Sequence, residues 1–236
     1  MSIVCVQSKV MISSGPLVML LGFHLFSKQI YDFLTIGDYK SVEWSLGQRL
    51  FFWMLFSHAF RETFEVLAVK DFTQKPTMGH NILAVRSALS WFWAGFAIPF
   101  YTFHPLYTET VWLTLEKPIF FYIAVALFAL SELMSLLSVM HLSTVQAYKR
   151  LHPSGDPRFF IPSQHGFAHI TCANYFWRLC CWLVMACVSQ TLMGFCWVVY
   201  LFLDLNTRAH KIHYTQVLRY RDLYPPEKRP LIPNFF

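Results

Sequence analysis

The C-terminal stretch Thr207–Phe236, TRAHKIHYTQVLRYRDLYPPEKRPLIPNFF, directly follows a long apolar segment and is strongly basic. It carries six Lys or Arg residues against Asp222 and Glu227, which leaves a net charge of +4 out of +6 for the whole chain. A cationic strip directly after a membrane span is suited to hold lipid phosphates or an anionic cofactor. This tail therefore predicts a membrane protein with an anion-binding face.

The composition of the whole chain also favours a membrane location. Of the 236 residues, 56% are hydrophobic and only 14% are charged, whereas soluble domains carry roughly 25% charged residues. We predict an all-α integral membrane protein, a six-to-seven-helix bundle, with residues 1–236 forming a single transmembrane domain. An unusually hydrophobic soluble helical bundle is the alternative. Apolar windows of about twenty residues give six candidate spans, at roughly 16–36, 48–68, 82–103, 118–140, 166–187 and 189–206.

The charges of the loops support six spans. With this count, the N-terminus, loop 69–81, loop 141–165 and the basic tail share one side of the membrane. The two loops on the opposite side, 37–47 and 104–117, each carry a net charge of −1. This segregation is what the positive-inside rule expects. Five spans would place the two most basic segments on opposite faces.

Cysteine and histidine patterns argue against a disulfide framework and against a metal site. The six cysteines show no CxxC or Cys/His spacing, so we interpret them as buried thiols. His165 and His169 have the i,i+4 spacing of metal ligands, but no acidic residue of the HExxH type lies between them. We expect no metal, and histidines that face solvent or phosphate. No Gly-rich phosphate loop is present, so membrane helices and the tail would have to hold any nucleotide.

Ionisable residues inside predicted spans are candidate functional residues, because charge is costly at membrane depth. Arg61 and Glu65 are four residues apart and can share a helix face. They are either a carboxylate oriented towards a cavity by the arginine or a self-neutralising pair near the interface. Arg86, Glu132 and Arg178 also fall inside spans, and Glu132 could pair with one of the arginines.

Four short motifs carry a family resemblance. They are His104-Pro105-Leu106-Tyr107-Thr108, Leu151-His152-Pro153-Ser154-Gly155, Cys172-Ala173-Asn174-Tyr175, and Tyr224-Pro225-Pro226 followed by Ile232-Pro233. In this order and spacing, residues from about 50 to 236 resemble the membrane domain of the very-long-chain trans-2-enoyl-CoA reductases. The sequence also resembles, more distantly, the steroid 5-alpha-reductases.

The resemblance implies NADPH-dependent reduction of a conjugated C=C bond. A hydride goes to the beta carbon, while a Tyr and a helix Glu polarise or protonate the carbonyl side. Carried over to this sequence, Glu65 is the candidate catalytic residue on the substrate side. Asn174, Arg208 and His213 are the candidate NADPH-binding residues.

This sequence also departs from the family pattern at several positions. Where the family has a Glu three residues after the Tyr of its CPNY motif, this chain has Arg178, a donor in place of an acceptor. The Tyr pair of the third helix corresponds to Phe92 and Trp93, which cannot serve as general acids. Where the family has a polar Asn at the start of its cofactor-side loop, this chain has His141, and the next cofactor-side position is the apolar Val145. Together these changes predict that the chemistry is lost while the fold is kept.

We therefore expect no bound cofactor and a structural, lipid-binding accessory subunit of a larger membrane complex. A mitochondrial respiratory or ATP-synthase complex, in the inner membrane, is the leading host. Arg178 and Lys211, together with the three candidate cofactor residues, would bind the phosphates of anionic phospholipids. We expect other membrane-protein subunits as partners, and we do not expect nucleic acid. The alternative is an active reductase of the endoplasmic reticulum that uses NADPH and Glu65. A lipid scaffold or transporter unrelated to this fold is a third hypothesis.

Overall fold

The computed structural model describes residues 3–33, 44–69, 93–104 and 118–232. Within these ranges the backbone is helical and contains no β-strand, which confirms the predicted helical class for this part of the chain. Wider π-helical turns at Glu65–Val69 and Trp93–Ala97 adjoin two of the helices. The α-helices are α1 (Ile3–Phe33), α2 (Leu46–Phe64), α3 (Ile98–Thr102), α4 (Pro118–Leu151), α5 (Ala173–Ser189) and α6 (Leu192–Tyr220).

The number of membrane spans stays a prediction. In the described part of the chain, one helix, Ile119–Leu151 within α4, is long and apolar enough to cross a membrane. A shorter apolar helical segment, Ser14–Ser27, lies in α1. Most of the third predicted span, 82–103, lies outside the described residues. Length and composition alone therefore do not establish six spans.

The fifth predicted span starts later than the apolar pattern indicates. The pattern placed its start near residue 166, but α5 begins at Ala173. His165 and Gly166 have φ angles of 54° and 96°, which a continuous helix cannot accommodate. The predicted turn near Ser189-Gln190 is confirmed, since α5 ends at Ser189, Gln190 has a φ of 46°, and α6 begins two residues later.

The prediction of buried thiols is wrong for part of the cysteine set. All five cysteines among the described side chains are free, and Cys172 and Cys181 are buried. Cys187 and Cys196 are exposed. An apolar helix has an outward face as well as an inward one, so a position inside an apolar segment does not by itself predict burial in the protein.

The chain divides into two compact units. Unit 1 comprises Met1–Ala126 and Val184–Trp197, and unit 2 comprises Leu127–Leu183 and Val198–Phe236. Helices α4, α5 and α6 each contribute residues to both. The single domain expected from the sequence stays a prediction.

An aromatic core holds α1 in unit 1. Phe23 packs edge-on against Tyr31 and Phe96, with ring centroids 6.0 and 5.8 Å apart, and the Tyr31 hydroxyl donates to the Phe100 carbonyl at 2.7 Å. Gly95 allows this close approach, because a Cβ there would lie 2.6 Å from the Cβ of Met19. Small residues at such crossings are typical of helix packing in membranes.

Helix α2 starts with a capping box. The Ser45 hydroxyl accepts from the Gln48 backbone N–H at 3.2 Å, and the Gln48 side chain accepts from the Ser45 N–H at 2.9 Å. The Gln48 amide also donates to the buried Thr102 carbonyl at 2.8 Å. One side chain therefore both starts α2 and ties it to the end of α3.

Candidate functional site

The loop before α5 contributes to a buried apolar cluster in unit 2. Phe167, Ile170 and Ala173 are almost fully buried together, with Leu142, Phe176 and Trp177 packed around them. The His165 carbonyl accepts from Ser138 Oγ at 3.1 Å and from the Trp177 indole N–H at 3.2 Å. Gly166 has a positive φ of 96°, which favours glycine at this position. The apolar cluster and these two hydrogen bonds thus fix the loop against α4 and α5.

The C-terminal tail lies along this loop. The Thr171 N–H donates to the Arg229 carbonyl at 2.8 Å, and the Arg229 N–H donates to the His169 carbonyl at 2.9 Å. The Cys172 N–H donates to the Pro230 carbonyl at 3.2 Å. Isolated backbone bonds of this kind form a short parallel bridge between Ile170 and Arg229. The motif before α5 and the motif in the tail, far apart in sequence, thus meet in one structure.

A buried lysine adds a side-chain contact between tail and loop. Lys228 is 5% exposed, and its ammonium donates to the Pro162 carbonyl at 2.6 Å. The same nitrogen lies 5.6 Å from the centre of the Tyr224 ring. A carbonyl and an aromatic face are both favourable neighbours for a cation, so Lys228 anchors the tail rather than reaching into solvent.

A hydrogen-bonded chain of three side chains links the tail, the loop and α6. Thr171 Oγ1 lies 2.6 Å from the Tyr224 hydroxyl and 2.6 Å from His213 Nδ1. His213 was a candidate from the sequence, and Thr171 was not. The only sequence signal for Thr171 is its place directly before Cys172-Ala173-Asn174-Tyr175.

The next candidate, Arg208, lies on α6. Its guanidinium pairs with Asp204 one turn earlier, at 3.1 Å. Its Nε is buried and finds no hydrogen-bond partner within the described ranges, and the same holds for Gln216 Oε1 further along α6. Buried polar atoms are nearly always paired. A donor and an acceptor without protein partners on one helix are therefore consistent with a polar ligand there.

Asn174 and Arg178 stand one turn apart at the start of α5. Both side chains are partly buried, and the i,i+4 spacing places them on the same face of the helix. Arg178 has an interaction partner, so its side chain is not free. Lys211, the second predicted lipid-binding cation, is exposed on α6.

The candidate catalytic residue lies in unit 1, whereas the candidate anion-binding residues lie in unit 2. Glu65 is 2% exposed and forms an ion pair with Arg61, as the i,i+4 spacing predicted. A second pair precedes it, with His58 Nε2 at 3.2 Å from a Glu62 carboxylate oxygen. Arg61 Nη2 lies 3.4 Å from His58 Nδ1. Four polar side chains therefore form one network at the end of α2 and the start of the π-helical turn that follows it.

The positions that depart from the family pattern have structural contacts of their own. The Trp93 indole N–H donates to the Met193 carbonyl at 3.0 Å. His141 Nε2 accepts from the Ser163 backbone N–H at 3.4 Å, and Val145 lies in α4. Phe92 lies outside the described residues. His165 and His169 have the i,i+4 spacing of metal ligands on a helix. They do not lie on a helix, because both are in the turns before α5.

Burial shapes the titration of the tail groups. Burial, together with His210 and Arg229, lowers the pKa of His213, so its imidazole is neutral at neutral pH. Burial raises the pKa of the Tyr224 phenol, and the hydrogen bond between Tyr224 and Thr171 opposes this. Burial also lowers the pKa of Lys228 from 10.5 to about 8. The chain Tyr224–Thr171–His213 therefore consists of neutral groups.

The lowered pKa of Lys228 predicts a pH-dependent stability. Between pH 8 and 10.5 the folded chain binds fewer protons at Lys228 than the unfolded chain, so the free energy of unfolding rises with pH. The rise is at most about 3 kcal/mol. We expect it between pH 8 and 10 in denaturant titrations, and we expect Lys228→Met to abolish it. The same substitution at the exposed Lys211 should keep the rise; if both variants keep it, Lys228 is not responsible.

Comparison with known proteins identifies the family. A sequence model of the 3-oxo-5-alpha-steroid 4-dehydrogenase family matches residues 80–236. The chain therefore belongs to this family, whose members are membrane-embedded NADPH-dependent reductases. The matched range includes all of unit 2 and excludes Glu65 and Arg61.

One curated relative supports the same family. The human protein 3-oxo-5-alpha-steroid 4-dehydrogenase 1 is 32% identical to this chain over 88 residues. The alignment covers 37% of this chain and 34% of the relative, so the chain spans about a third of the length of this relative. The predicted likeness to the steroid 5-alpha-reductase family is thereby confirmed.

Proposed function

We propose that this protein is a non-catalytic member of the family that binds anionic phospholipid in unit 2. In this proposal it acts as an accessory subunit of a larger membrane complex. The observation that carries the proposal is the pair Asn174 and Arg178, one turn apart on the same face of α5. In the family that the sequence resembles, a Glu occupies the position of Arg178.

The guanidinium changes the ligand that this face of α5 favours. A carboxylate accepts hydrogen bonds from hydroxyl and amide groups, whereas Arg178 only donates. Guanidinium groups bind phosphate oxygens through two parallel hydrogen bonds. Arg208, whose Nε has no partner in the described part of unit 2, and the exposed Lys211 add further donors on α6. This set favours a phosphate group.

Two observations in unit 1 favour a loss of catalysis. Trp93 stands where the resemblance places a Tyr, and its indole N–H is committed to the Met193 carbonyl. An indole does not release its proton at physiological pH, so it cannot replace a phenol as general acid. Glu65 is engaged by Arg61. The described residues of unit 1 therefore use both positions for packing and ion pairing.

An activity assay tests the loss of catalysis. We expect the purified full chain in lipid nanodiscs not to oxidise NADPH with an enoyl-CoA or with a 3-oxo-4-ene steroid. Glu65→Gln should show the same background rate of NADPH oxidation as the natural chain. Measurable turnover in the natural chain that disappears in Glu65→Gln would show that the protein is an active reductase.

Lipid content and partners test the other half of the proposal. We expect Arg178→Leu to lower the anionic phospholipid that co-purifies with the chain, or to loosen its complex, while the chain still inserts. Arg219→Leu, at an exposed position near the end of α6, is the matched control. Native mass spectrometry measures both lipid number and partner stoichiometry. Unchanged values in Arg178→Leu would contradict the proposal.

An active NADPH-dependent C=C reductase is the second candidate function. Family membership favours it, as does the buried Glu65 held by Arg61. The retained Asn174, Arg208 and His213 would then hold NADPH. The two functions also differ in location: an accessory subunit fits the mitochondrial inner membrane, with a respiratory or ATP-synthase complex as the first host to test, and a reductase fits the endoplasmic reticulum.

We also propose six membrane spans, with the N-terminus and the basic tail on the same side. Loop charges support this topology. Cysteine-accessibility mapping should label both termini from one face. Labelling from opposite faces would require an odd number of spans.

A further inference from the structure

The chain Tyr224–Thr171–His213 has a defined direction. Thr171 carries a single hydroxyl hydrogen and contacts both neighbours at 2.6 Å. It can donate to His213 Nδ1 while accepting from Tyr224, or donate to Tyr224 while accepting from His213. The two directions place the imidazole hydrogen on different ring nitrogens.

Burial decides between the two directions. If Thr171 donated to Tyr224, the phenolic hydrogen of Tyr224 would need another acceptor, and the described residues provide none. Tyr224 is only 6% exposed, and a buried donor without an acceptor is costly. If Tyr224 donates to Thr171 and Thr171 donates to Nδ1, every hydrogen along the chain is used. The imidazole then carries its hydrogen on Nε2.

We propose that the C-terminal tail fixes His213 as its Nε2–H tautomer, so that Nε2 presents a neutral hydrogen-bond donor to a phosphate oxygen of the bound ligand. Thr171 and Tyr224 are positioning residues that act through His213. None of the residues within 3–33, 44–69, 93–104 and 118–232 accepts a hydrogen bond from Nε2, which leaves this nitrogen for the ligand. The identity of the ligand rests on the proposed function, and the tautomer does not.

Nitrogen NMR measures the tautomer directly. The probe is the full chain labelled with ¹⁵N-histidine in nanodiscs that contain phosphatidylglycerol, with the His213 signals assigned by their loss in His213→Gln. We expect a pyrrole-type Nε2 and a pyridine-type Nδ1. Thr171→Val should raise the share of the Nδ1–H form about fivefold, because it removes the hydroxyl that donates to Nδ1. A protonated Nδ1 in the natural chain, or an unchanged tautomer ratio in Thr171→Val, would overturn the proposal.

A pair of substitutions at Thr171 tests the link to the ligand. Thr171→Ser keeps the hydroxyl and should retain both the tautomer and the phosphatidylglycerol counted by native mass spectrometry. Thr171→Val keeps the shape, removes the hydroxyl, and should lower the retained phosphatidylglycerol about fivefold. A shifted tautomer with unchanged phosphatidylglycerol would refute the role of His213 towards the ligand. Failure of the proposed function is distinguished by Arg178→Leu, which leaves this hydrogen-bonded chain intact.

Discussion

Arg61→Leu should reduce the free energy of unfolding by about 3–5 kcal/mol, because it leaves the Glu65 carboxylate buried without its guanidinium partner. Both side chains are nearly inaccessible, with 10% and 3% of their side-chain surfaces exposed. Arg61 also lies next to His58, so the loss extends to the second pair on α2. Unfolding by SDS in mixed micelles measures this change.

A matched substitution and a double variant separate the ion pair from general damage. Arg158→Leu breaks an ion pair with Asp156 in which the arginine side chain is 76% exposed, and it should cost no more than about 1 kcal/mol. Arg61→Leu combined with Glu65→Leu should recover most of the stability, since buried ion pairs are often replaceable by apolar residues. If the double variant is less stable than Arg61→Leu alone, the pair is not the reason for the loss.

Phe167→Ala should cost about 3–5 kcal/mol, the range for truncating a large buried aromatic residue. Phe167 is 2% exposed at the centre of the cluster with Ile170 and Ala173. The loop that it anchors carries the backbone groups that bind Arg229 and Pro230. We therefore expect faster amide exchange or proteolysis in the tail as well as a lower midpoint of unfolding.

The exposed Phe159 provides the control for this prediction. It is 64% exposed, and Phe159→Ala should change stability by about 0.5 kcal/mol or less. If Phe167→Ala lowers stability without loosening the tail, the tail is held independently of the apolar cluster under the loop.

The sequence predicted the helical class and the family well, because both depend on features that are local or cumulative. The helical class was predicted from apolar windows, which are read directly from the local composition. The family was predicted from four short motifs and their order along the chain. The start of α5 was predicted about seven residues too early, since an apolar pattern does not reveal the positive φ angles at His165 and Gly166. Exposure of Cys187 and Cys196 was missed for a related reason: apolar character does not tell which face of a helix meets the protein.

The candidate site was predicted only in part. His213 and Arg208 became candidates because they lie in the basic run after the last apolar segment, at positions that the family resemblance assigns to the cofactor. The pairing of Arg61 with Glu65 could be predicted because i,i+4 contacts are fixed by helix geometry. Thr171 has no distinctive sequence context, and its role depends on contacts with Tyr224 and His213, 53 and 42 residues away. Sequence spacing contains no information on such contacts.

The apolar helices, the basic tail and the family can be read from the sequence alone, because hydrophobicity, charge and motif order are properties of the chain. How the tail is used is visible only in the folded chain. It buries Lys228 against the Pro162 carbonyl and places Tyr224 beside Thr171, and it thereby fixes the hydrogen-bonding state of His213. The physical reason is that burial and long-range hydrogen bonds arise only when distant segments pack together.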